Sequence, residues 1–212
     1  MIKGIIGKKI GMTQVFTSEG RVIPVTVVEA GPCVVTQKKT VSTDGYNAIQ
    51  LGFEKIVSEK KVNRPQTGHF KKAGVEPMKH LKEVRIEEVD QYDLGQVISA
   101  EIFSEGELVD IQGISIGKGM QGVMKRYNFR GGPKTHGSTF HRHPGSIGMK
   151  EWPAEIMKGK KMAGHMGCRK VTTQRLKIVR VMPEKNILLV QGAVPGHKDG
   201  VIYIKSTVKP KQ

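Results

Sequence analysis

Residues 117–170 limit the fold of this chain more than any other stretch. They hold twelve Lys/Arg against two acids, Glu151 and Glu155, together with eleven glycines, four histidines and very few Leu, Ile or Val. A segment of that make-up cannot bury enough apolar surface to offset the entropy of ordering it, so it is expected not to fold alone. Tyr127, Phe129, Phe140, Trp152 and several methionines make it too aromatic and too Met-rich for a solvated linker. Such a segment makes physical sense against a polyanion that orders it.

The charge is local. Of a formal net charge of +16 over 212 residues, this stretch carries ten. That skew points to nucleic acid or an anionic surface as partner. The rest of the chain reads as an ordinary domain, long enough for a hydrophobic core. Two cysteines, Cys33 and Cys168, make no disulfide framework, and a reduced, cytoplasmic setting is expected. The opening MIKGIIGKKIGM has too short and too glycine-broken an apolar run for a signal peptide. No apolar run reaches the roughly eighteen residues of a membrane span, so no membrane partner is expected.

Outside the basic stretch the pattern is β. Val22, Ile23, Val25, Val27 and Val28 form one β-branched run, and Cys33, Val34 and Val35 begin another. Ala48, Ile49 and Leu51 follow the turn signal Thr43-Asp44-Gly45. Pro24 predicts an edge or a bulge. Residues 84–88, 97–103 and 108–116 read as strands, the first two separated by Tyr92-Asp93-Leu94-Gly95. Residues 176–182 and 186–191 read as a hairpin across Pro183-Glu184-Lys185, and 201–206 as a last strand. Residues 54–82 form a basic, less regular insert broken by Pro65, Gly68, Gly74 and Pro77, with a short helical turn at 69–73. Its Lys55, Lys60, Lys61, Lys71 and Lys72 read as a solvated face, or alternatively as a secondary RNA contact. The expected architecture is mainly β: a closed or nearly closed barrel from 1–116 and 171–212, interrupted between two strands by an irregular, glycine-rich, basic extension at 117–170.

Three chemistries can be tested on the motifs. Gly117-Lys118-Gly119-Met120-Gln121-Gly122 matches GxGxxG after a strand. A dinucleotide site also needs a helix and an acid about twenty residues on. The next acid is Glu151, and Gly131-Gly132-Pro133 ends any helix early. A kinase reading lacks the lysine strand and catalytic loop, and Gly7-Lys8-Lys9 lacks the Walker spacing. His136, His141, His143 and His165 with Cys168 could be imagined around zinc, but cationic neighbours disfavour a dication and paired cysteines are missing. Ser138 and Ser146 lie near histidines in sequence, yet the acids cluster elsewhere, at 83–93 and 101–110. No catalytic residue, metal or cofactor is expected.

Nucleic-acid binding accounts for more features at once. Lysines and arginines neutralise phosphates, and glycines let backbone N–H groups approach a crowded surface. Tyr127, Phe129, Phe140 and Trp152 can stack on unpaired bases; the alternative is a small local core under a loop. No recognition helix or zinc finger of a duplex-DNA reader is visible, and an extended, glycine-jointed chain suits folded RNA.

Several long motifs carry a family resemblance. Residues 4–13 (GIIGKKIGMT), Gly68-His69-Phe70, 117–119 (GKG), 123–129 (VMKRYNF), 141–148 (HRHPGSIG), 158–167 (KGKKMAGHMG) and 192–196 (GAVPG) resemble the bacterial third large-subunit ribosomal protein family, the ribosomal protein L3 family. The match runs in order along nearly the whole chain. It implies a translation-factor-like β-barrel on the subunit surface, with an extension running inward through rRNA towards the peptidyl transferase centre. It also implies binding near the 3′ end of large-subunit (23S) rRNA early in assembly, beside the fourteenth and nineteenth large-subunit protein families, as a single copy rather than a homo-oligomer. By position the extension's core is residues 128–161 and its tip about 145–153.

On these grounds the expected RNA-contacting residues are Lys8 and Lys9 in the opening motif, then Lys118, Lys125, Arg126, Tyr127, Phe129, Arg130, Lys134 and His136. The set continues through His141, Arg142, His143, Lys150, Trp152, Lys158, Lys160, Lys161, His165, Arg169 and Lys170. Three positions depart from the family pattern. Met149 replaces a glutamine that is methylated in some members, so that modification is expected to be absent. Tyr127 stands where many have tryptophan, and Ile116 where a lysine is frequent. The competing readings are an RNA-modifying enzyme and a nucleotide-binding, translation-factor-like barrel. A pocket holding a carboxylate or cysteine of perturbed pKa would favour the first, and measurable nucleotide affinity the second.

Overall fold

The computed structural model describes residues 3–58, 60 and 62–209; Lys61 of the basic insert and the first two residues of the opening MIKGIIGKKIGM lie outside them. The strands of the first half are β1 (Gly4–Phe16), β2 (Val22–Ala30), β3 (Cys33–Lys39), β4 (Ala48–Lys55), β5 (Met78–Arg85), β6 (Val97–Ile98) and β7 (Leu108–Ile114). Then follow β8 (Gly119–Gln121), β9 (Gly164–Met166), β10 (Lys170–Met182), β11 (Ile187–Gln191) and β12 (Val201–Ser206). Among the described residues the α-helices, α1 (Val41–Asp44), α2 (Arg64–Lys72) and α3 (Val123–Tyr127), are short.

Six strands close a barrel in the order β1-β12-β7-β10-β11-β2, every neighbour antiparallel. Alternation drives the closure. Ile202 and Ile204 on β12, Val109 and Ile111 on β7, Ile5 on β1 and Ile178 on β10 all turn inward and are essentially fully buried. β-Branched side chains suit such a pleated, enclosed surface. A second sheet, β5-β4-β3-β6, adds Val35, Leu51 and Val84 to the same core.

Glycines let β1 run where composition alone suggests interruption. A β-carbon on Gly7 would come within 2.4 Å of the Glu29 carbonyl oxygen of β2, so the two strands approach closely only because none is there. The irregularity of β1 falls between Lys9 and Gly11, where its register with β2 shifts. Pro24 faces Gln14 of β1 but lies one residue outside the β2–β11 ladder, which begins at Val25. Its missing N–H is therefore not needed on that side, as an edge position requires.

Local structure differs from the sequence pattern in four places. The helical turn expected at 69–73 is a nine-residue helix, α2, opened by a capping box between Asn63 and Gln66 with Pro65 in its first turn. The end of the insert is not irregular, because β5 begins at Met78 and pairs with β4. The strand expected over 97–103 stops at Ile98, after which a 3-10 turn (Ala100–Ile102) tucks Ala100 and Phe103 into the core. Thr43-Asp44-Gly45 closes the single turn α1, with Gly45 left-handed at φ 79°.

The chain divides into two compact units, Met1–Ile114 with Lys170–Gln212, and Ser115–Arg169. The first holds the barrel and the second sheet; the second holds β8, β9 and α3.

Candidate nucleic-acid interface

The unit Ser115–Arg169 has almost no core. Among the described residues, Val123 is its one buried hydrophobic side chain. Ile116, Met120, Ile147, Met149, Ile156 and Met157 are exposed, and Trp152 is 83% exposed. Backbone contacts between its outgoing and returning strands hold it together instead. Ser115 N–H donates to the Arg169 carbonyl (2.8 Å), Cys168 N–H to Ser115 (3.1 Å) and Lys118 N–H to Met166 (2.9 Å). The β8–β9 ribbon follows, with Met120 opposite His165. Gly167 adopts φ 83°, and a β-carbon there would meet the Ile116 carbonyl oxygen at 2.2 Å. The GxGxxG motif thus builds a ribbon edge and leads into a five-residue helix, α3, that ends at left-handed Asn128.

Arg126 fastens the returning chain. Its Nη1 donates to the Met162 carbonyl at 2.7 Å, and its guanidinium carbon lies 5.0 Å from the Tyr127 ring centroid. Gly164 is flat against that guanidinium, since a β-carbon would sit 2.6 Å from Nη1. Lys161 brings its ammonium to 5.8 Å from the same ring, and Phe129 lies 6.5 Å away, centroid to centroid. The aromatic residues therefore divide. Tyr127 and Phe129 are half-buried in this local cluster, while Trp152 presents its ring to solvent. Sequence reasoning did not single out Met162 or Gly164 as partners of Arg126; a carbonyl acceptor leaves no mark in residue type.

Beyond α3 the chain folds onto itself once. Gly132 N–H donates to the His141 carbonyl (3.0 Å), and the His141 ring Nδ1 lies 3.0 Å from the Pro133 carbonyl. A β-carbon on Gly132 would meet the Phe140 carbonyl oxygen at 2.0 Å, so glycine permits the crossing. The Phe140 and His143 rings lie 5.9 Å apart. Lys134, His136 and Arg142 project from this closed loop, all exposed.

Charge is the unit's main chemical property. Among the described residues, none of the ion pairs involves a residue of Ser115–Arg169. Lys118, Lys125, Arg130, Lys134, Arg142, Lys150, Lys158, Lys160, Lys161 and Arg169 are thus free of carboxylates and available to phosphate. The remaining candidates lie in the barrel unit and are differently placed. Lys8 is within 4.0 Å of Glu54 and 3.8 Å of Asp199, and Lys9 donates to the carbonyls of Val194 (2.9 Å) and Gly196 (3.2 Å). Lys170 stands on β10 opposite Ile114. Among the described residues no three His, Cys, Asp or Glu side chains are grouped to hold a metal ion.

The model of the family described as "Ribosomal protein L3" matches residues 81–186. A "Large ribosomal subunit protein uL3" of Carboxydothermus hydrogenoformans is 54% identical over 211 residues, covering 100% of both chains. The chain belongs to the ribosomal protein L3 family. Relatives with the same name from Geobacter sulfurreducens and Thermotoga petrophila are 55% and 56% identical over 211 residues, again covering 100% of each chain. The family match spans both units, from β5 through the unpaired cations to the turn before β11.

Proposed function

We propose that this L3-family chain is a structural, rRNA-binding protein of the large ribosomal subunit with no reaction of its own. It binds near the 3′ end of large-subunit rRNA, nucleates assembly, and sends residues 128–161 through the RNA towards the peptidyl transferase centre. Its protein neighbours are the fourteenth and nineteenth large-subunit families. The observation that carries this reading is the cation-rich unit Ser115–Arg169, which among the described residues has one buried apolar side chain and no carboxylate on any of its cations. Left in water, that arrangement repels itself; threaded through phosphates, each cation gains a partner and releases counterions. The shared name of the full-length relatives supports the same assignment.

The test is deletion of residues 128–161 from the full chain. The remaining barrel should fold and dock weakly on 3′-domain rRNA, with subunits that sediment incompletely and do not form peptide bonds. Assembly and peptide-bond formation at the level of the intact chain would refute the role given to these residues. Crosslinks from Lys150 or Trp152 to rRNA in the intact subunit locate the tip directly.

A further inference from the structure

On the outside of the barrel a lysine of the second sheet, Lys82, lies over the Tyr203 ring, and Lys170 of β10 shares that face. Tyr203 of β12 stands opposite Gln112 of β7, and Gln112 opposite Thr172 of β10. Gln112 Nε2 donates to Thr172 Oγ1 at 3.1 Å, which leaves the threonine's own hydroxyl hydrogen for another acceptor. Lys170 lies two residues before Thr172 on β10 and so shares its side of the strand. From the second sheet, Lys82 of β5 brings its Nζ to 5.6 Å from the Tyr203 ring centroid.

The ring is fixed. Tyr203 is largely buried, which pushes its hydroxyl pKa up to about 12, and the hydroxyl reaches so close to Gly4 that a β-carbon there would sit 2.3 Å from it. Burial, and then the nearby charge of Lys170, hold the Lys82 ammonium below its ordinary pKa. Glu83 acts in the opposite sense, but its carboxylate is taken by Lys39 at 2.8 Å and by the Tyr46 hydroxyl at 2.8 Å. Among the described residues no carboxylate lies within ion-pair distance of Lys82 or Lys170. Lys82 is half-buried and Lys170 exposed; like charges near each other without a counterion repel, and an anion between them reverses the sign of the interaction.

We propose that Lys82 and Lys170, with the Thr172 hydroxyl on the same outer face, form a site for one phosphodiester group of the RNA backbone on the barrel itself. A tetrahedral anion offers separate oxygens to two ammonium groups and one O–H, and the Tyr203 ring supports the Lys82 end. The site positions the barrel on RNA without reading sequence, as contacts to phosphate do. It rests on the rRNA-binding reading above and adds a contact outside Ser115–Arg169.

Two measurements on the full chain test it. Titration with inorganic phosphate, followed by the lysine side-chain NMR signals, should move Lys82 and Lys170 together and saturably, and Lys170→Met should abolish the Lys82 response. Binding of large-subunit rRNA across a salt series should weaken about tenfold at about 0.1 M salt in Lys82→Met, with the log–log salt slope smaller by about one. Lys82→Arg should restore most of the affinity. Lys79→Met on the same strand, whose lysine is paired with Glu54 at 2.9 Å, should leave the slope unchanged. Circular dichroism and melting establish that each variant is folded. Wild-type rRNA affinity left untouched by Lys82→Met, or phosphate that moves neither lysine, overturns the site. A folded wild-type chain with no rRNA affinity is a different result and overturns the functional reading on which the site rests.

Discussion

Arg126 donates to the main-chain carbonyl of Met162 at 2.7 Å across 36 residues of chain, while its guanidinium lies over the Tyr127 ring. A residue expected from sequence to meet phosphate therefore also ties the outgoing and returning strands of the basic unit together. Arginine can do both because its fork donates at the edge and stacks by the face. Lysine can do only one at a time.

Arg126→Lys should loosen the ribbon without touching the barrel. Losing one charge-assisted hydrogen bond and part of a stack costs about 1–2 kcal/mol of local stability. Hydrogen exchange of the β8–β9 amides should then speed up roughly five- to thirtyfold, that loss expressed as a rate at about 1.4 kcal/mol per decade. Amides of β7 and β12 should exchange as before. Ribbon protection unchanged in the variant would show that the main-chain ladder holds the strands by itself.

The free protein should show two kinds of backbone within the basic unit. Residues 144–161 are exposed apart from Pro153, and their hydrogen bonds are local, Ser146 to Gly148 and Lys160 to Met157. Nothing there offsets the entropy of ordering. Narrow, intense amide NMR signals are expected for 144–161, against dispersed ones for 115–127 and 162–169. A dispersed, protected set over 144–161 without RNA would contradict this.

The two thiols should separate cleanly by reactivity. Cys33 is fully buried, its Sγ lies 3.3 Å from the Ile6 carbonyl oxygen, and burial pushes its pKa up to about 12. Cys168 is exposed. A thiol reagent at neutral pH should modify Cys168 in the native chain and both cysteines only after unfolding, since the thiolate is the reactive form. Rapid native modification of Cys33 would mean that β3 opens far more readily than its core position suggests.

How far the sequence carried the fold depended on what each residue contacts. β12 could be bounded at Val201 and Ser206 because the short run Val-Ile-Tyr-Ile, β-branched and aromatic, reports a strand directly. β1 could not be delimited in that way, since Gly4 and Gly7 are placed there by the nearness of other strands, a property of the tertiary structure. The basic unit was legible as charge and glycine, whereas its internal fastening was not. The Met162 carbonyl beside Arg126, and the Val194 and Gly196 carbonyls around the Lys9 ammonium, leave no mark in residue type. Lys82 gave no signal because its neighbours Tyr203 and Lys170 are distant in sequence on other strands.

Acid should weaken the barrel unit through Glu83 and Glu54. The Glu83 carboxylate accepts from Lys39 at 2.8 Å and from the Tyr46 hydroxyl at 2.8 Å, and these two bonds, Lys39 first, hold its pKa below the ordinary 4.5. Lys79, at 2.9 Å, does the same for Glu54. A carboxyl group whose pKa is lower folded than unfolded binds its proton more readily in the unfolded chain. Its contribution is therefore fully present above the unfolded value and disappears as pH falls through the folded one. Glu83→Gln removes the Glu83 part at every pH. The melting temperatures of wild type and variant should differ at pH 7 and converge as pH falls below about 4.5. Because both carboxylates are partly exposed, added salt should shrink the difference at pH 7 as well. A gap between the two proteins that stays constant from pH 7 down to pH 3 would show that Glu83 acts through packing and not through its charge.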